Sequence, residues 1–191
     1  MRHISLTSTE GFTLVEAAIS IGILVTLMAS AFSLVFDMSS FLRDYDDDVT
    51  VQTEGQRAAS RFLEVLRESG RVTIGGVTYP RVVSGGAELQ FRVLQDLDGN
   101  GYAFDAATGA LEWSPKVFTI KTDGSGSLGV YDGATPVHAL GRHVTGLEFS
   151  TIQENAALHL REVRMQFEAR KPTGKGHDAV YGVDTSVHLR N

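Results

Sequence analysis

Residues 12–36 read FTLVEAAISIGILVTLMASAFSLVF, and Glu16 is the one charge among them; the next charged residue is Asp37. As a helix, residues 17–36 alone span roughly 30 Å, the depth of a bilayer's hydrocarbon core. A secreted globular domain has no use for such a run. A plain anchor has no use for Glu16, because a carboxylate in hydrocarbon is costly unless it is neutralised or paired. Any account of this chain must therefore supply an apolar surrounding for the run and a partner for Glu16.

The 191 residues suffice for that helix and one modest domain. The net charge of −6 gives no indication of a nucleic-acid surface. Cysteine is absent, so a domain outside the cytoplasm must hold together by packing alone. Twenty glycines against four prolines suggest many tight turns, as in an antiparallel β domain.

Residues 12–68 read as one long helix. Past the apolar run, Met38, Phe41, Tyr45 and Val49 step by three or four, as do Ala59, Phe62 and Leu66. Ser69-Gly70 is a plausible stop, with Gly70 able to take the left-handed conformation of a helix end. Gly22 and Gly55 are weak points in the pattern, and Gly22 is either a point of close approach between helices or a simple kink. Asp46-Asp47-Asp48 reads as a solvated face.

From Arg71 the period changes to two. Val72-Thr73-Ile74, Gly75-Gly76 and Val77-Thr78-Tyr79 form a hairpin signature. Strands are expected over residues 88–95, 111–113, 117–122, 144–152, 158–169 and 179–189, with Asp123-Gly124-Ser125-Gly126 as a turn and residues 171–177 as a loop. Val163, Met165, Phe167 and Ala169 share one face, and Arg161-Glu162 suggests a bulge. The expected fold class is α+β, a long N-terminal helix covered over its second half by an antiparallel sheet of about seven to nine strands.

Gly11-Phe12-Thr13-Leu14-Val15-Glu16 resembles the processing site of the type IV pilin family, which includes the type II secretion pseudopilins. The resemblance implies cleavage after Gly11 by a prepilin peptidase, N-methylation of Phe12, and retention of Glu16 for assembly. It divides the chain into a leader (1–11), a transmembrane and filament-core helix (12–37), an amphipathic helix (38–69) and an extracytoplasmic β-rich domain (70–191). It implies a pilin-like fold and a single-pass place in a bacterial inner membrane, with the C-terminal domain outside. Arg2 in the leader and the aspartates after the run agree with that orientation, although aspartate counts for little. In this family the glutamate is thought to meet the methylated amine of a neighbouring subunit, a pairing that low dielectric strengthens. The alternative is a hydrated Glu16 at the headgroup level. Residues 140–149 and 187–191 resemble the C-terminal half of larger minor subunits, the J-like and W-like kinds. The missing cysteines also favour a pseudopilin or minor pilin over a major pilin closed by a disulfide.

The partners so implied are the peptidase and methyltransferase, other pilin or pseudopilin subunits, and the membrane. No catalytic role is expected. The sequence has neither an HExxH motif nor a nucleophile elbow, and Thr173-Gly174-Lys175-Gly176 lacks the rest of a phosphate loop. His138, His143, His159, His177 and His188 show no metal spacing, and Trp113 reads as a core or edge residue. Asp96, Asp98, Asn100 and Asp105 place acidic and amide oxygens as a calcium loop does, with Gly101 at the sixth position. Ala107 stands where the closing glutamate belongs, and Asp-Gly and Asn-Gly are equally the residues of tight turns. Both readings stand at this point. A major pilin, a DNA-uptake or adhesive minor pilin, and an exported domain on an uncleaved anchor are the rival functions.

Overall fold

One helix, α1 (Leu14–Arg67, 54 residues), takes up the long periodic run. The computed structural model describes residues 13–155, 160–173 and 178–189. The chain divides into two units, Met1–Tyr45 and Asp46–Asn191, and α1 contributes to both.

In the first unit residues 13–39 are all exposed. Ile19, Leu24, Leu27, Phe32, Leu34 and Phe36 each show more than half of their surface. The helix has the length and apolar composition to cross a membrane. Two of its hydroxyls are satisfied internally: Thr26 Oγ1 donates to the Gly22 carbonyl at 2.8 Å and Ser30 Oγ to the Thr26 carbonyl at 2.9 Å. Such back-bonding is what an apolar surrounding demands of a hydroxyl. Among the described residues nothing lies within 4 Å of where a Cβ on Gly22 would sit. The expected stripe of Met38, Phe41 and Tyr45 is exposed as well.

Burial begins in the second unit. Val51, Gly55, Ala58, Phe62 and Leu66, spaced by three or four, are the buried residues of α1. Val49 is still 41% exposed, so the covered stripe starts later than the series from Met38 to Val49, whereas Phe62 and Leu66 of the second expected series are buried and Ala59 packs against the core. Small residues set its approach. A Cβ on Gly55 would lie 2.8 Å from Tyr181 Cδ1 and 3.0 Å from Val183 Cγ2, and one on Gly141 would lie 2.7 Å from Ala58 Cβ. Gly55 is thus a point of close approach. Asp47, expected on a solvated face, pairs with Lys171 at 2.7 Å.

Ten strands follow among the described residues. β1 (Val72–Ile74) and β2 (Val77–Tyr79) form the expected hairpin, and Gly75 and Gly76 both have positive φ (59° and 79°), as a type I′ turn requires. β3 (Arg81–Val83), β4 (Glu88–Phe91), β5 (Phe118–Thr122), β6 (Leu128–Asp132) and β7 (Thr135–Gly141) make an antiparallel five-stranded sheet in that order. β8 (Val144–Asn155), β9 (Leu160–Pro172) and β10 (Asp178–Leu189) make a three-stranded sheet with β9 in the middle. β8 lies against β3, β4 and β5, and its Val144 N–H donates to the Gly126 carbonyl at 2.8 Å. One core takes Leu89, Phe91, Ile120, Leu128 and Leu140 from the first sheet and Phe149, Val163, Met165, Phe167 and Val187 from the second. The ring of Phe62 stacks on Phe149 with centroids 6.0 Å apart.

Several expectations need correction. The run at 88–95 pairs regularly only to Phe91; Leu94 then makes an isolated bridge to Trp113, so 111–113 is not a strand. Gly70 is not left-handed: α1 closes with the Ser69 N–H and hydroxyl on the Leu66 carbonyl at 3.1 and 2.9 Å. Gly70 is instead where the Trp113 ring comes close, since a Cβ there would lie 2.7 Å from Cη2. The register from Arg161 and Glu162 to β10 is unbroken. Against β8 the register does shift there, between the pairs Ile152–Glu162 and Asn155–Leu160, with the extra residue on β8; the other shift lies between Thr145 and Glu148, where Gly146 has φ 61°. β9 continues to Pro172, into the expected loop.

Candidate functional site

Of the three residues expected at a processing and assembly site, Gly11 and Phe12 lie outside the described residues. Glu16 is exposed in the first turn of α1. Its Oε2 accepts from the Thr13 N–H at 3.5 Å and the Thr13 hydroxyl at 3.4 Å, while Thr13 Oγ1 accepts from the Glu16 N–H at 3.3 Å. The exchange has the pattern of a capping box, in which a threonine and a glutamate three residues on satisfy each other's amides. A carboxylate here also faces the positive end of the helix dipole. Glu16 thus has a local role that the sequence pattern Thr-x-x-Glu already contains. The exchange uses Oε2 alone of the two carboxylate oxygens.

The acidic loop is built by its own backbone. Asp96 Oδ1 accepts from the N–H groups of Gly99 (2.7 Å) and Asn100 (3.2 Å), and Oδ2 from Gly101 (2.8 Å). The Gly101 amide above all, aided by those of Gly99 and Asn100, holds the Asp96 carboxyl below its ordinary range. Asp98 accepts from the Asn100 backbone at 3.0 Å and side chain at 2.9 Å. Gly99 and Gly101 have φ of 77° and 86°, which explains the glycines without a metal.

Asp96 and Asp98 do come together, and Glu112 joins them, with ligand oxygens within 4.8 Å of one another. Sequence reasoning missed Glu112. The bridges Leu94–Trp113 and Phe104–Leu111 deliver it, and its Oε2 accepts the Leu97 N–H at 2.6 Å. The other two expected calcium ligands serve the loop's own hydrogen bonds. The Asn100 amide donates to Asp98 and to the Phe104 carbonyl, and Asp105 Oδ1 caps the amides of Ala107 and Thr108 at 2.7 and 3.2 Å. Asp105 does not join the group formed by Asp96, Asp98 and Glu112. The turn reading accounts for the hydrogen bonds of all four.

His138, His143 and His188 are exposed, and among the described residues no histidine joins a metal-ligand group; His159 and His177 lie outside them. Trp113 is half-buried at the edge, over Gly70.

The strongest electrostatic feature lies on the β9–β10 ladder. Arg164 Nε donates to Asp184 Oδ1 at 2.7 Å, its Nη2 donates to Oδ2, and Gln166 Nε2 donates to Oδ2 at 3.0 Å. Arg164 first and Gln166 second hold the Asp184 carboxyl at a pKa of about 2, against an ordinary 3.8. A lowered folded-state pKa gives stability that is complete above the ordinary value and lost as pH falls through about 2. Both side chains are over a third exposed, so the effect is modest. Asp184→Asn is expected to lose stability at neutral pH and to flatten the decline between pH 4 and pH 2, roughly the span of the shift. Unfolding midpoints of the two proteins across that range measure this.

No protein-family model matches the chain, and neither a curated protein nor a solved structure matches it significantly.

Proposed function

We propose that this chain is a structural subunit of a pilin-like filament, a minor pseudopilin of a type II secretion system or a minor pilin of a type IV pilus. The observation that carries the reading is the first unit of α1: a helix whose large apolar side chains are exposed, with a single carboxylate, Glu16, in its first turn. Such a surface needs lipid or other apolar helices around it. On this reading the precursor sits in the bacterial inner membrane with its β domain outside. It is cut after Gly11, methylated on Phe12, and drawn into a bundle of like helices. Glu16 then meets the new amine of a neighbour, and the β domain decorates the filament. The chain carries out no chemistry of its own.

A second reading, an exported domain on an uncleaved anchor, is favoured by one contact: Glu16 already caps Thr13 within its own helix. Mass analysis of the N-terminus of protein from its native membrane separates the two. The filament reading expects residues 1–11 to be absent and Phe12 to carry one added methyl group. An intact Met1, or a cut elsewhere, rejects it. Gly11→Glu is expected to abolish maturation, leaving only precursor on a gel or in the mass spectrum, whereas Gly11→Ala should still be processed at least in part.

A further inference from the structure

The second unit has a groove of about 550 Å³ between the C-terminal turns of α1 and the five-stranded sheet. Its floor is apolar. Phe91 and Val130 are buried, Phe118 and Val65 are half-buried, and Val137 is 43% exposed at the far wall. The Phe91 and Phe118 rings lie side by side, with centroids 5.9 Å apart. The volume is within the range of sites that enclose a ligand.

The rim on the helix side is acidic. Glu64 and Glu68 stand four residues apart, both exposed. Like charges at that spacing weaken a helix, and carboxylates near a helix C-terminus oppose its dipole. Neither carboxylate has an ion-pair partner among the described residues. Arg61, which lines the same groove, pairs with neither glutamate, and its Nη1 donates to the carbonyls of Ala139 at 3.1 Å and Leu140 at 3.4 Å. Arg67 and Arg71 line a neighbouring recess beside Trp113 that Glu68 borders as well, yet neither forms an ion pair with it. Two local rules are broken here with no ion pair among the described residues to offset them, as happens where a sequence serves a partner.

We infer that this groove docks another polypeptide through a large apolar side chain flanked by lysine or arginine. The apolar side chain covers Phe118 and Val137, and the cation sits between Glu64 and Glu68. A second copy of this chain is a poor occupant. Its exposed apolar stripe, Met38 to Tyr45, is set among Asp37, Asp44, Asp46, Asp47 and Asp48 with Arg43 as the one cation, and the whole chain carries −6. Acid would meet acid. The inference concerns the second unit alone and does not depend on how the N-terminus is processed.

The test uses full-length protein in a non-ionic detergent and two fluorescent, end-blocked peptides, Lys-Ala-Phe-Ala-Lys and Glu-Ala-Phe-Ala-Glu, at low salt. The lysine peptide is expected to bind at least about tenfold more tightly by anisotropy. A Glu64→Gln/Glu68→Gln double variant should lose most of that preference, and Glu64→Lys/Glu68→Lys should reverse it. Glu54→Gln, outside the groove, should behave as the parent. Glu64 and Glu68 are exposed and Glu54 is half-buried, and circular dichroism checks that each variant is folded. Three outcomes overturn the inference: no saturable binding of the lysine peptide up to about 1 mM, equal binding of both peptides, or a preference indifferent to residues 64 and 68. Groove-dependent self-association of the protein, abolished by the same double variant, would overturn the choice of a basic partner.

Discussion

Phe62→Ala is expected to destabilise the second unit by about 3–5 kcal/mol, the usual cost of removing a fully buried aromatic ring from a core. Phe62 has no exposed surface and stacks on Phe149, so the helix and the three-stranded sheet both lose their contact at that position. The neighbours cannot close the gap easily. α1 is already held near its limit of approach by Gly55 against Tyr181 and Val183, and by Ala58 against Gly141. A helix that cannot move inward leaves a cavity, and the residual cavity sets the size of the penalty. In a unit of this length the loss corresponds to a fall in melting temperature of roughly 10 °C or more. Phe41→Ala is the matched control. Phe41 is 66% exposed, and its removal should leave the transition within about 0.5 kcal/mol of the parent. Thermal melts of the full-length protein in detergent, followed in the near ultraviolet, measure both. Equal effects of the two substitutions would mean that the core is not where Phe62 places it.

How far the sequence disclosed this arrangement depended on the kind of signal. The α1 helix was legible because its composition, length and stop all agree, and its observed bounds are within two residues of the expected ones. The Val72–Tyr79 hairpin was legible because Gly-Gly between two β-branched triplets encodes its own turn. The long strands β8 to β10 showed through their alternation. β6 and β7 did not. Gly129 interrupts the first and Pro136 the second, and each is tolerated for a reason invisible in one dimension. Gly129 sits beneath the Tyr131 ring and opposite the His138 carbonyl, where a Cβ would lie 3.1 Å from that oxygen. Pro136 is on an edge strand whose register slips twice against β6, so no ladder hydrogen bond is wasted on it.

The same limit governed the site. The cap made by Thr13 and Glu16 is a local pattern and can be read from spacing, although the apolar run around Glu16 points first to a charge in need of a partner. Glu112 beside Asp96 and Asp98 depends on two isolated bridges between distant segments, and no local period announces those. The groove likewise needs a helix face, four strands and a charge count around it before Glu64 and Glu68 stand out from other surface acids.

Glu16→Val is expected to leave cleavage after Gly11 largely intact and to remove most of the protein from sheared filaments. On the filament reading Glu16 has two separable roles. The capping exchange with Thr13 is worth about 1 kcal/mol at most helix starts, and its loss frays a turn without changing what the apolar surface wants. An ion pair with a neighbouring amine contributes far more, because two opposite charges in low dielectric are stabilised together and penalised apart. Valine removes both roles, so a second variant is needed to divide them. Glu16→Gln keeps an oxygen acceptor for the Thr13 N–H and loses the charge. If assembly depends on the charge, Gln should fail as Val does, with filament content reduced at least tenfold, about 1.4 kcal/mol or more per incorporation step. If it depends on the cap, Gln should assemble normally. Immunoblots of sheared filaments against membrane-retained protein give the ratio, and N-terminal mass analysis of the retained pool shows whether cleavage went ahead. Filament content unchanged in both variants would remove the pairing role from Glu16, and with it the reason for an acid in this helix to be anything more than a cap.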